Sequence, residues 1–157
     1  MRRFLWMAFA VSGMMMVLLM THLSRLPHGE LVIDFLDIGQ GDAILITTPE
    51  GATILVDGGP HQTVLQELGE VMPFLNRRID LLILTHPHAD HMMGLIQVLQ
   101  RYEVGAVLIS GVNYWSAIYE EFLAEVRIQK IPLYVAQANQ DWRFGDVELD
   151  VLFPLEP

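Results

Sequence analysis

Cysteine is absent from the chain. Disulfides and thiolate metal ligands are therefore excluded, and any metal must be held by imidazole or oxygen donors. Acidic residues are absent before Glu30, and no Lys, Arg, Asp or Glu occurs between Arg3 and Arg25. Histidine is absent after His91. Basic residues are scarce from Glu30 onward, where six (Arg77, Arg78, Arg101, Arg127, Lys130, Arg143) face nineteen acidic ones, a balance of −13. Binding to a phosphate backbone normally rests on a basic footprint. This part of the chain offers only the Arg77–Arg78 pair, and bound cations would have to supply the rest.

What is abundant is apolar side chain, and it is unevenly placed. The 157 residues are 52% hydrophobic, and six of the nine methionines lie in the first twenty positions. "FLWMAFAVSGMMMVLLM" (4–20) carries no charge. With Thr21 and His22 at the interface, this stretch matches the ~20 residues a helix needs to cross a bilayer. "MRR" would also suit the charged start of a signal peptide, but the run is long for that, and "THLSRLPHG" offers no A-x-A-like cleavage site. An uncleaved anchor over residues 1–24 is the preferred reading, ahead of a cleaved signal or a buried core helix. Arg2 and Arg3 precede the span and Arg25 follows it. The positive-inside rule then puts the rest of the chain on the extracytoplasmic side of the cell membrane. Residues 25–30 read as a linker and 31–157 as one domain, long enough for its own core.

Within that domain, "LVIDFLDI" (31–38), "AILITT" (43–48) and "ATILVD" (52–57) read as strands joined by the Gly-containing turns "GQGD" and "PEG", an antiparallel meander. The period then changes. Residues 62–75 show helical spacing, with Pro73 placed to end the helix early. "IDLLILT" (79–85) is a continuous apolar strand of the kind buried on both faces. A helix over 91–102, a strand over 105–110, a helix over 114–130 and a strand over 132–137 follow. Residues 141–154 read as a hairpin around Gly145. Strands alternating with helices after a meander predict an α/β domain with a mixed sheet. The last predicted strand lacks a neighbour, so the sheet reads as incomplete.

The chemistry concentrates in "LTHPHADHMMG" (84–94), which holds three of six histidines. His86 and His88 are two apart after a strand, so an extended backbone points both rings the same way. Pro87 fixes its own φ and biases His86 to an extended conformation. Two imidazoles on one side suit zinc. Asp90 and His91 follow at a helix start and would face a second ion; paired ions ~3.5–4 Å apart generate a nucleophile from water at neutral pH. Taken singly, each residue has a plainer explanation: Asp90 as a helix N-cap, His91 as a first-turn surface residue, H-x-H as coincidence. Three histidines and an aspartate in one loop are hard to explain without metal.

"THPHADH" after an apolar strand, with "ILVDGG" (54–59) upstream, resembles the metallo-β-lactamase-fold superfamily. The resemblance implies that His86 and His88 bind a first metal, and Asp90 and His91 a second. Asp57, with Gly58 and Gly59, would brace the metal loop by hydrogen bonds rather than ligate. It also implies two zinc ions in a complete domain, with manganese as an alternative. The fold would be αββα, of which this chain supplies an incomplete half-sandwich with a mixed sheet behind one transmembrane helix. "DFLDIGQGDAILITTPEGATILVDGG" (34–59) is similar to the opening of this domain in ComEC-type proteins, the membrane channels of natural DNA uptake. Its turn would bring Gln40 and Asp42 toward the metal loop. The plainer reading of that turn is a connection whose polar groups satisfy turn amides.

By the resemblance, the chain is part of a membrane-anchored two-metal hydrolase of DNA phosphodiester bonds. Its partners would be the membrane, DNA, and further transmembrane helices of a channel. A small ester, lactone or phosphodiester is the competing substrate. A third reading is a non-catalytic metal-binding fragment. By the resemblance, the remaining ligands, a further one for the first metal, a bridging aspartate and another histidine for the second, lie downstream; here Asp141, Asp146 and Asp150 stand without motif context. The isolated 157 residues are therefore expected to bind metal weakly and not to turn over.

Overall fold

The computed structural model describes residues 2–26 and 29–154. Pro27 and His28 of the expected linker, and the last three residues, lie outside them. Helix α1 (Arg2–Ser24) carries no charged residue between Arg3 and its end, and its Arg3–Ser24 stretch is long and apolar enough to cross a membrane.

The sheet begins with the meander. Strands β1 (Val32–Phe35), β2 (Ile44–Thr47) and β3 (Thr53–Val56) pair antiparallel, with Ile44 opposite Val56 and Leu45 opposite Leu55. Helix α2 (Thr63–Val71) then crosses over, so that β5 (Leu81–Leu84) lies parallel to β3. Helix α3 (Ala89–Leu99) leads to β7 (Val107–Ile109), and α4 (Ala117–Ile128) to β8 (Leu133–Val135), both added in parallel. The order is β1-β2-β3-β5-β7-β8, a mixed sheet. Two small pairs flank it: β4 (Arg78–Ile79) with β6 (Glu103–Val104), and the hairpin β9 (Trp142–Phe144) with β10 (Val147–Leu149).

Alternation along the strands divides the core. Leu55, Leu82, Leu84 and Val107 point to the helices, where they bury Val64, Leu68, Leu95 and Phe122. Leu81 and Leu108 point to the opposite face and meet Trp142 and Phe144 of the hairpin. Each fully buried Leu or Phe contributes about 1.5–3 kcal/mol, so the helical layer is the main source of stability. Strand β8 forms an edge, and Leu133, Tyr134 and Val135 are exposed on it.

Several boundaries are shorter than the periodicity implies. The apolar run 79–85 is not one strand. Asp80 breaks it by turning its carboxylate to the Thr53 backbone N–H (2.9 Å) and to Arg78 Nε (2.7 Å), and Ile79 joins a separate pair. The helix expected over 62–75 ends at Val71, because Met72 precedes Pro73 and is extended (ψ 150°). The helix expected over 114–130 starts at Ala117, since Ser116 caps it by accepting the Tyr119 N–H at 3.1 Å. The second hairpin strand ends at Leu149 rather than running on to 154.

Candidate metal centre

The histidine loop sits where β5 hands over to α3, at the C-terminal ends of the parallel strands. Asp57 ends β3, next to it. Its φ is +55°, a left-handed conformation that Asp tolerates better than most residues. Its amide is bound by Ile83 O at 2.9 Å, so the strand pairing itself aims the carboxylate at the loop.

Asp57 is buried and has three hydrogen bonds. Oδ1 accepts the Thr85 amide at 2.9 Å; Oδ2 accepts the Thr85 hydroxyl at 2.5 Å and faces His91 Nδ1 at 2.9 Å. A carboxylate only accepts, so the proton between them belongs to His91 Nδ1, which leaves Nε2 as a lone-pair donor. The same logic reaches His86. Thr85 Oγ1 spends its one proton on Asp57, so at 2.9 Å it accepts from His86 Nδ1–H, and Nε2 of His86 is also left as a donor. Neither Nε2 has a hydrogen-bond partner among the described residues.

Donor atoms of Asp57, His86 and His91 all lie within 4.8 Å of one another. The His86 ring centroid is 3.9 Å from that of His91 and 4.7 Å from that of His88. Three crowded imidazoles, two of them with a free Nε2 and oriented through the Asp57 carboxylate, fit a divalent cation of zinc type. His88 and Asp90 do not join this tightest cluster. His88 is exposed, holds the N-cap position of α3 without a side-chain cap, and packs its ring edge near Tyr114 at 5.8 Å. Asp90 stands in the first turn of α3 and is not its N-cap. Asp42 is largely exposed, with Oδ2 4.0 Å from His91 Nδ1, and Gln40 is exposed with no side-chain hydrogen bond among the described residues. The turn 39–42 therefore reaches the loop mainly through backbone. Gly41 (φ +87°) lies so close to Asp90 O that a Cβ there would come within 1.9 Å of it.

Backbone contacts also sew Gly58 and Gly59 to the site. Gly58 N donates to His91 O at 2.8 Å, Gly59 N to Asp42 O at 3.1 Å, and Gly94 N to Gly59 O at 2.9 Å. Gly94 and Gly58 face each other with no room for a side chain, which lets the start of α3 rest on the turn. Thr85 is the residue that periodicity passes over. It looks like the end of an apolar strand, and only its position between Asp57 and His86 gives it a role. A hydroxyl immediately before a histidine motif was the available signal.

Residues 36–157 match the family model of the metallo-beta-lactamase superfamily. ComE operon protein 3 of Bacillus subtilis is 26% identical over 142 residues, covering 80% of this chain and 18% of that protein. Recombination protein 2 of Haemophilus influenzae is 28% identical over 127 residues, covering 78% of this chain and 14% of that protein. A hydroxyacylglutathione hydrolase of Serratia proteamaculans is 40% identical over 58 residues, 37% of this chain and 22% of that protein. The chain thus spans under a quarter of the length of these relatives. A solved metallo-β-lactamase from Cronobacter sakazakii, a HARLDQ-motif mutant, aligns with a TM-score of 0.55 at 20% identity, over 77% of this chain and 50% of that one. That last likeness concerns the fold alone.

Proposed function

Since the chain belongs to the metallo-β-lactamase superfamily, whose members are generally metal-dependent hydrolases, we propose that it forms part of a membrane-anchored two-metal hydrolase that cleaves DNA phosphodiester bonds during DNA internalisation. The observation that carries this reading is the donor cluster at the ends of β3 and β5, in a chain similar over about four-fifths of its length to two competence-type proteins. Zinc is the first choice of metal and manganese the alternative. His86 and His88 are assigned to one ion, Asp90 and His91 to the other. Asp57 keeps protons on His91 Nδ1 directly and on His86 Nδ1 through Thr85, so both rings present Nε2. Gly58, Gly59 and the turn carrying Gln40 and Asp42 hold the loop by backbone bonds. Bound divalent ions supply a nucleophile from water at neutral pH and positive charge for the developing oxyanion. α1 holds the domain at the membrane, on the extracytoplasmic side.

The test uses native membranes carrying the protein, stripped with chelator and reloaded with zinc or manganese. Metal-dependent degradation of DNA that disappears in the His86→Ala/His88→Ala protein is the expected result. Equal degradation by both proteins refutes the proposal.

One observation favours a second substrate class. The highest identity among these relatives, 40%, is to a protein named for hydrolysing hydroxyacylglutathione. Offering the same membranes a panel of thioesters and lactones beside DNA separates the two: turnover confined to the small esters selects this reading.

A further inference from the structure

We infer that residues 73–78, together with the end of α1, form a docking patch that seats the domain on an anionic lipid surface. The inference rests on α1 being a membrane anchor. Arg3–Ser24 has 22 residues. At 1.5 Å per residue it rises roughly 33 Å, against a hydrocarbon core of ~30 Å. A spanning α1 therefore ends near Ser24, at the level of the lipid headgroups.

The chain is tied to the domain at that level. Arg25 donates Nη1 to Gly69 O (3.0 Å) and Met72 O (3.3 Å), the carbonyls that α2 leaves open at its C-terminal end. A cavity of about 410 Å³ lies at the junction, lined by His22 and Arg25 on one side and Glu50, Leu75 and Asn76 on the other. Whatever contacts the end of α1 is held within a few ångströms of the headgroups. There the loop turns out two large apolar side chains in succession, Phe74 (68% exposed) and Leu75 (74% exposed). Leu26, also exposed, extends the patch from the α1 side. Adjacent apolar side chains beside a membrane span lose this exposure by entering the interface.

The charge agrees. Two guanidinium groups flank the apolar pair in a domain otherwise rich in acid. Arg78 is taken up by Asp80 and Glu103. Arg77 has no ion pair among the described residues and stacks 5.5 Å from the centre of the Tyr102 ring. Arg25 and Arg77 are thus the cations offered to anionic headgroups.

The absence of cysteine makes the test direct. Met15→Cys, Phe74→Cys and Ile128→Cys, each in the full chain, carry one spin label apiece in vesicles of phosphatidylcholine and phosphatidylglycerol. Collision with lipid-soluble oxygen and with a water-soluble nickel chelate reports depth. The expected order is position 15 deep in lipid, position 74 at the interface, and position 128 in water. Position 15 in lipid with position 74 as accessible to nickel as position 128 overturns the docking patch alone. Position 74 shielded from both reagents means protein cover and overturns it too. Position 15 in water overturns the anchor, and the patch with it.

Discussion

Gly94→Ala and Gly69→Ala are the same substitution in two helices, and the structure gives them opposite signs. Alanine is favoured over glycine in a helix by about 1 kcal/mol. At Gly69, in α2, a Cβ meets nothing within 4 Å. The propensity gain then stands alone, and Gly69→Ala should stabilise by about 0.5–1 kcal/mol. At Gly94, in α3, the Cβ would lie 1.8 Å from Gly58 O, and 2.8 Å from both Gly58 C and His61 O. These are backbone atoms, so no rotamer change relieves the clash. α3 must lift from the turn, which strains the Gly94 N–H bond to Gly59 O and the Gly58 N–H bond to His91 O. Overpacking costs roughly 1–3 kcal/mol and each lost bond about 1 kcal/mol. Less the propensity gain, the net loss is roughly 2–4 kcal/mol. The assay is urea unfolding of the full chain in mild detergent, followed by tryptophan fluorescence. With a slope of about 2 kcal/mol per molar urea, the Gly94→Ala midpoint should fall by roughly 1–2 M while that of Gly69→Ala rises slightly. A Gly94→Ala midpoint equal to or above the parent's refutes the claim that close backbone approach positions the metal loop.

Asp57→Asn keeps the shape and tolerates the left-handed φ, but it no longer compels His91 Nδ1 to hold the proton. Zinc affinity by titration calorimetry should fall about 10–100-fold, as for other groups that orient metal ligands. Thr85→Val should also weaken zinc binding while Thr85→Ser leaves it near the parent, because only the hydroxyl links Asp57 to His86. Tyr102 and Tyr119 have pKa values raised by burial, Tyr102 against a smaller lowering by Arg77. Since unfolded tyrosine titrates near 10, the unfolded chain loses these protons first. The stability they carry is complete below pH ~10 and lost as pH rises through the folded values. A urea midpoint that is unchanged from pH 9 to pH 11.5 would contradict this.

The architecture was legible where pattern is local. The meander announced itself through "GQGD" and "PEG", and the change of period after Gly59 announced the crossover. Boundaries failed where a side chain found a distant partner. Asp80 interrupts an apolar run because Thr53 and Arg78 wait for its carboxylate. The candidate donors could be named from sequence because four of them occupy six residues; of these the structure gathers His86 and His91 with Asp57. What holds them was less so. Thr85 belongs to the site through Asp57, 28 positions away, and Gly41 through the carbonyl of Asp90. Close approach between remote backbones has no signature in composition or period.

The side-chain bracing of the loop lies within one β–α–β passage that begins at Asp57, and the 39–42 turn adds to it only through backbone. Only one loop closure separates the brace from the residues it orients, and such a closure costs entropy that grows slowly with length. α4 and β8 contribute no hydrogen bond to it. A ligand that prefers the folded state adds about 2.7 kcal/mol at a concentration 100 times its dissociation constant. In this chain that increment should fall on the elements that carry the brace, β3, β5, the start of α3 and the 39–42 turn. Metal would therefore slow amide exchange there and leave the β8 edge opening at its own rate.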